Sequence, residues 1–278
     1  MDTQLRDLPI HRTDVSRAGG WLRDIREGVA LAPAWMRISI MDVNSTYRRF
    51  FLGSSWVTLG MVLFVFALGY VYSYLRGNEF SVFTPYLAAG MVAWTFIHSS
   101  VSQAMNVFVS SRRFIENVRL PFHYFIFKTM FDIAYNALLT LPVYVFCLFL
   151  FGVVPGAGLW RSLAALPLYL LSSYAIIVII GVLNLRVRDI QTPLSNFMRL
   201  MFLITPVIWM VDERAGSRRA AFVDYNPFHH YMEIMRAPML GQMPETVNWI
   251  VASSCTAALF TLACAVMILS WRRIHYWV

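Results

Sequence analysis

Lysine is almost missing from this chain: its 278 residues hold one, Lys128, preceded by Phe127. A P-loop cradles phosphate with a Gly-rich turn that ends in Lys, so nucleotide hydrolysis by that route is excluded. HExxH and GxSxG are missing too, which removes the usual metalloprotease and serine-hydrolase signatures. Cysteine is scarce: Cys147, Cys255 and Cys264 show neither CxxC nor Cys/His spacing, so no disulfide framework or zinc site is indicated and no metal is expected. Charge is the largest shortfall, at 14% of residues against about 25% in a soluble domain, while 58% are hydrophobic.

What fills the chain instead is long apolar runs. Segments 53–75, 80–111, 133–160, 162–185 and 246–270 each exceed 20 residues without Asp, Glu, Lys or Arg, and 190–211 is as long but carries Arg199. About 20 helical residues cross ~30 Å of hydrocarbon. The expectation is an all-α integral membrane protein with six transmembrane helices. Residues 1–32 form a short N-terminal segment, 33–52 an interfacial helix, and 53–278 the transmembrane domain.

Residues 1–27 alternate five arginines with five acidic residues and have no apolar core of a secretory signal, so the N-terminus is expected to stay in the cytoplasm. Basic residues are retained on that side. With the N-terminus inside, Arg37, Arg48 and Arg49, then Arg112, Arg113, Arg119 and Lys128, then Arg186 and Arg188, and finally Arg272 and Arg273 fall on inner flanks. The first two outer loops hold one arginine each, Arg76 and Arg161; the longer outer segment 212–245 has four arginines offset by five acidic residues. Both termini are therefore expected in the cytoplasm. The net charge of +8 reads as topology and attraction to anionic membrane lipid, since the basic residues form no nucleic-acid module.

Three connecting segments carry more than solvated linkers need. In 33–52, Met36, Ile40, Val43 and Tyr47 share a helical face beside the polar Arg37, Asn44 and Arg48, the pattern of a helix lying in the membrane surface. In 110–124, Phe114, Ile115, Val118 and Leu120 alternate with Arg112, Arg113, Glu116 and Arg119, which suits a docking surface for a cytoplasmic protein. The aromatic stretch 224–231 with Pro238 and Pro244 behind it suggests re-entrant outer helices between spans 5 and 6. His229 and His230 are adjacent and point apart on a helix, so packing is expected of them rather than metal binding. Two ionisable residues lie at membrane depth: Asp132, one turn after Lys128 and suited to an ion pair with it, and Arg199, which either snorkels or faces a wet cavity. Aromatic residues reach 15%, enough either for interface belts and helix packing or for a lumen on which sugar rings could stack.

Several strings resemble one family, the ABC-2 type permeases of bacterial polysaccharide and polyol-phosphate exporters. Residues 47–56, Tyr-Arg-Arg-Phe-Phe-Leu-Gly-Ser-Ser-Trp, are similar to its Tyr, basic pair and Leu-Gly-x-x-Trp pattern, and 116–121, Glu-Asn-Val-Arg-Leu-Pro, to its coupling segment. Arg188-Asp189-Ile190, Thr205-Pro206-Val207, Asn226-Pro227-Phe228 and Met235-Arg236 follow in the same order. Thr46 and Phe50 depart from the pattern, where a basic and a small hydroxyl residue are usual.

The resemblance implies a homodimeric channel in the bacterial inner membrane that exports a lipid-linked glycan of the O-antigen kind. It implies a separate ATPase subunit that binds ATP and Mg, with no cofactor on this chain. Arg48 and Arg49 would meet the pyrophosphate of the lipid carrier, and Arg112, Arg113, Glu116, Asn117, Arg119 and Pro121 would couple to the ATPase. Tyr70, Trp94, Phe96, Tyr135, Tyr144 and Trp209 would line the pore, and Asn226, Pro227, Phe228 and Arg236 would form an outer gate. Two other readings remain open on the same residues: an exporter of a small drug or lipid, and an intramembrane transferase using Asp132 or Asp224 with His229.

Overall fold

A computed structural model describes residues 19–47, 53, 55–77, 79–111, 120–153, 155, 159–211 and 223–277. Among them every regular element is helical, in chain order α1 (Gly19–Ala30), α2 (Ala32–Tyr47), α3 (Ser55–Arg76), α4 (Phe80–Ala104), α5 (Val107–Ser110), α6 (Phe122–Phe151), α7 (Leu159–Arg186), a 3-10 turn (Arg188–Ile190), α8 (Gln191–Ile204), α9 (Pro227–Met239) and α10 (Thr246–Trp277). The protein is an all-α integral membrane protein, and α3, α4, α6, α7 and α10 are long and apolar enough to cross a bilayer.

α4 is the hub. It packs against α3, α6, α7 and α9, and 72% of its most apolar stretch is buried, against 11% for α3 at the periphery. Leu63, Tyr70, Tyr74 and Leu75 of α3 are largely exposed; in hydrocarbon this is no penalty, because helix association there rests on packing and interhelical hydrogen bonds. One such bond runs from Thr58 Oγ1 on α3 to the Leu139 carbonyl of α6 (2.7 Å).

Three boundaries differ from those expected of uncharged runs. α6 begins at Phe122, not 133, because Lys128 and Asp132 lie inside it and pair with each other (3.1 Å). It stops at Phe151, where Gly152 takes the left-handed conformation (φ 66°) of a helix C-terminus. α4 ends at Ala104 and not at 111; the carbonyl of Met105 just beyond it accepts from Asn184 Nδ2 and Gln191 Nε2 of the α7–α8 region, so that carbonyl keeps donors at the break.

The segment 190–211, expected as a full crossing, holds α8, a 14-residue helix of about 21 Å. Thr205 turns extended (ψ 137°) before Pro206, as residues preceding proline do. α9 is also short, 13 residues, yet it is wedged between α4, α7 and α10 and buries most of its length. At the other end of the bundle, α1 and α2 run along the beginning of α6, the turn between them set by Pro33 in the first turn of α2. Trp35 and Ser39 of α2 face α6, whereas Met36 and Ile40 of the predicted apolar face are each 39% exposed and free to meet lipid.

Candidate functional site

The helix that leaves the proposed docking segment is α6, and its start is unusually well held. Pro121, in extended conformation, precedes Phe122. The first amides of any helix lack intrahelical acceptors, and here the buried carboxylate of Asp24, brought by α1, accepts from the Phe122 amide (3.0 Å) and the His123 amide (2.9 Å). The anion also sits at the positive end of the helix dipole. Asp24 Oδ2 lies 2.5 Å from His123 Nδ1, and His123 Nε2 lies 3.0 Å from the Tyr174 hydroxyl on α7. α1 comes close because Gly28 has no side chain: a Cβ there would stand 2.9 Å from His123 Cβ.

Further along, Trp35 packs on Phe127 and Phe131 and its indole donates to the Gly28 carbonyl (3.1 Å). Lys128 joins Asp42 of α2 (2.9 Å) to Asp132 of its own helix (3.1 Å). The expected Lys128–Asp132 pair is thus one arm of a three-residue bridge. α1 and α2 are therefore fastened to the first three turns of α6 by an anionic cap, an aromatic wedge and an ionic bridge. Arg48, Arg49, Arg112, Arg113, Glu116, Asn117 and Arg119 lie outside the described residues; of the docking residues singled out, Pro121 lies within them.

In the opposite half, α9 carries a second polar knot. Asn226 caps it, its Oδ1 accepting from the Phe228 amide (3.0 Å) with Pro227 at the first helical position, and its Nδ2 donates to Thr205 Oγ1 at the end of α8 (2.9 Å). Phe228 meets Trp94 of α4 and Phe197 of α8. Arg236 is 1% exposed. A buried guanidinium is tolerated only when paired and hydrogen-bonded: Nη1 donates to the Pro206 carbonyl (2.6 Å), Nη2 pairs with Glu233, and the cation sits 4.0 Å from the centre of the Tyr86 ring. The four residues expected at an outer gate thus lie on one short helix and its cap, tied to the end of α8 and to α4.

Behind α9 a hydroxyl cluster runs through the bundle. The Tyr169 hydroxyl donates to the Tyr231 carbonyl (2.7 Å), the Tyr231 hydroxyl reaches Ser172 (2.7 Å) and Thr256 (2.5 Å), and Ser100 meets Ser173 (3.1 Å). His230 is engaged on both nitrogens, by Asn248 (2.7 Å) and the Asp224 carbonyl (2.9 Å), which is a packing role.

The six aromatics expected along a pore are dispersed within the protomer. Tyr70 is 68% exposed on α3. Trp94, Phe96 and Tyr144 are buried in helix contacts, Phe96 edge-on to Tyr169 and Tyr144 hydrogen-bonded to the Met239 carbonyl. Tyr135 stacks on Phe131, and Trp209 donates to the Leu203 carbonyl (3.0 Å). Arg199 is exposed on α8, in an open groove with His98 and Thr95. Asp132 and His229 sit on elements at different ends of the bundle, so that pair of the transferase constellation is not assembled, whereas Asp224 lies within electrostatic reach of His229 at the start of α9. The cysteines are free, and no group of three metal-ligating side chains occurs among the described residues.

Sequence reasoning assigned no partner to Asp24, His123 or Tyr174, nor to Tyr86 or Glu233. Glu233 carried a signal, standing three residues before Arg236 on one helical face. Asp24 carried none, since its partners are about a hundred residues away.

The arrangement is that of a multi-helix membrane protein with a fastened N-terminal layer. The family profile of ABC-2 type transporters matches residues 36–240, and the chain belongs to that family. It is similar to the O-antigen export system permease protein RfbA of Klebsiella pneumoniae, at 22% identity over 191 residues that cover 68% of this chain and 73% of the relative. The protein of the same name from Myxococcus xanthus is 22% identical over 197 residues, 70% of this chain and 76% of the relative. Membership makes the chain a transport subunit and implies an ABC ATPase as its partner.

Proposed function

We propose that the protein is the permease of an ATP-driven exporter that carries a lipid-linked polysaccharide from the cytoplasm across the bacterial inner membrane, working as a homodimer with a separate ATPase subunit. The observation that carries this reading is the similarity, over two-thirds of the chain, to permeases named for O-antigen export. The end of the bundle bearing α1 and α2 is then cytoplasmic. There, 112–121 engages the ATPase, and its motion passes into α6 and, through Asp24, Trp35 and Lys128, into the surface layer. Arg48 and Arg49, at the end of that layer, attract the pyrophosphate of the carrier lipid. α9, held by Asn226 and Arg236, is the outer gate, and the passage lies between two copies, where aromatic faces let sugar rings slide.

Expression with its ATPase in a cell that makes a compatible lipid-linked polysaccharide but lacks its own permease tests the reading. Surface polymer is the expected result, and replacing Arg48 and Arg49 together by Glu should reduce it while insertion and dimerisation persist. Polymer that stays inside a cell producing both subunits, or one that reaches the surface unchanged in the double variant, would refute respectively the substrate class and the headgroup role.

A further inference from the structure

Three of the cavities in this bundle are lined almost wholly by apolar side chains, as expected of space facing lipid tails. Another, of about 540 Å³, differs. It lies between α2, the end of α4, α5 and the first turns of α6, and falls in the size range of small-molecule sites. Gln103, Asn106, Ser110, Tyr124 and Thr129 contribute amides and hydroxyls, with Phe125 beside them.

Two features give the cavity a direction. Ser111 and Leu120, the residues on either side of 112–119, both line it, so an occupant touches both roots of the segment that meets the ATPase. Among the described residues the charged groups that line it are Lys128 and the two carboxylates bridged by it, Asp42 and Asp132, so the lysine there is already engaged on both sides and is not held ready for a phosphate. Asp132 Oδ1 is moreover buried with no hydrogen-bond partner among the described residues, an acceptor that lacks a donor. Amides, hydroxyls, an acceptor-only carboxylate and an aromatic ring suit a ligand rich in hydroxyl groups.

We infer that this cavity is a sugar-binding subsite on the cytoplasmic side, which takes a neutral, hydroxyl-rich unit of the glycan and reports its presence to the ATPase through the two roots of the docking segment. The inference rests on the export reading proposed above. It adds a site built from residues other than the aromatics proposed for the passage and the arginines proposed for the headgroup. Sugar hydroxyls donate to the Asp132 carboxylate and exchange hydrogen bonds with Gln103, Asn106 and Thr129. Occupancy holds α5 and the start of α6 in one relation.

The test uses the full chain with its ATPase in cells that export polymer. p-Benzoylphenylalanine in place of the exposed Ser110 at the cavity rim is photo-activated, and the chain is probed for a glycan-bearing adduct; the same group in place of Leu63, on the exposed face of α3, is the control. A glycan adduct from the Ser110 position and none from Leu63 is the expected result. Asp132→Asn leaves Lys128 its Asp42 partner and should lower the adduct by about tenfold, the loss of a hydrogen bond to a charged group. Thr129→Trp, which fills the cavity, should abolish it. Because that variant is buried and could fail to fold, Ser111→Trp at the rim is read alongside, with the benzophenone kept at Ser110.

Surface polymer with no glycan adduct overturns the subsite and leaves the export reading standing. An adduct to the ATPase subunit alone also overturns it, assigning the cavity to a protein side chain. An adduct unchanged in Asp132→Asn and both tryptophan variants places the sugar outside the cavity. Absence of surface polymer removes the export reading and this inference with it.

Discussion

The two halves of the bundle solve the same problem with opposite charges. At the start of α6 a buried anion, Asp24, satisfies two amides that a helix leaves unpaired; beside α9 a buried cation, Arg236, satisfies a carbonyl, that of Pro206, released where α8 breaks. Each tethers a shorter element to the long spans, α1 in one case and α9 with the end of α8 in the other. The difference lies in the surroundings. Asp24 is shared by two buried amides and by a histidine with no exposed surface, so its loss leaves several buried donors without their acceptor. Arg236 is sealed among α4, α8 and α9, while its partner Glu233 keeps 19% of its side chain accessible, so the cation is the more deeply buried member of the pair.

The largest effect is expected at the sealed site. Arg236→Ala should cost about 3–5 kcal/mol, the usual result of breaking one side of a buried ion pair, read as loss of folded protein in thermal unfolding in nanodiscs. Arg236→Met combined with Glu233→Gln should cost clearly less than Arg236→Ala alone. If the double change is the more damaging, the knot is held by something other than charge. Asp24→Ala should follow at about 2–4 kcal/mol, from hydrogen bonds between a carboxylate and two amides. Its signature is local: hydrogen exchange should speed up at the amides of residues 122 and 123 while α9 keeps its protection.

Gly28→Val comes next, at about 1–3 kcal/mol, because its Cβ would press on His123 across a gap too small for it. It should loosen α1 and leave the α9 half untouched, which sharpens the separation between the two tethers. The smallest effect on folding, within about 0.5 kcal/mol, is expected for Met36→Ser with Ile40→Ser, since both side chains are exposed. Export measured in cells should nevertheless fall, because an amphipathic helix stripped of these side chains loses its grip on a membrane surface.

Much of this plan was written in local pattern. Long uncharged runs announced the spans and the Arg-rich flanks suggested an orientation, while Thr205-Pro206, expected inside a full crossing, is where α8 ends. What escaped was set by distant partners. The first three turns of α6 looked like a flank because Lys128 and Asp132 are charged, and they read as helix once Asp42 shares the charge. Asp24 looked like one acidic residue among many, and nothing near it in the chain says that it will meet an amide at position 122. Asn226, Pro227, Phe228 and Arg236 were legible as a group because they share one short helix. The six aromatics are dispersed because their ring chemistry is the same in a lumen, a helix contact and a membrane belt.

The central claim is that this chain is a conduit driven by another subunit. Nucleotide hydrolysis by the purified protein in nanodiscs, measured alone and after assembly with its ATPase, tests it most directly. The account predicts no hydrolysis by this chain alone and hydrolysis once the partner is bound; hydrolysis by the isolated chain would contradict it.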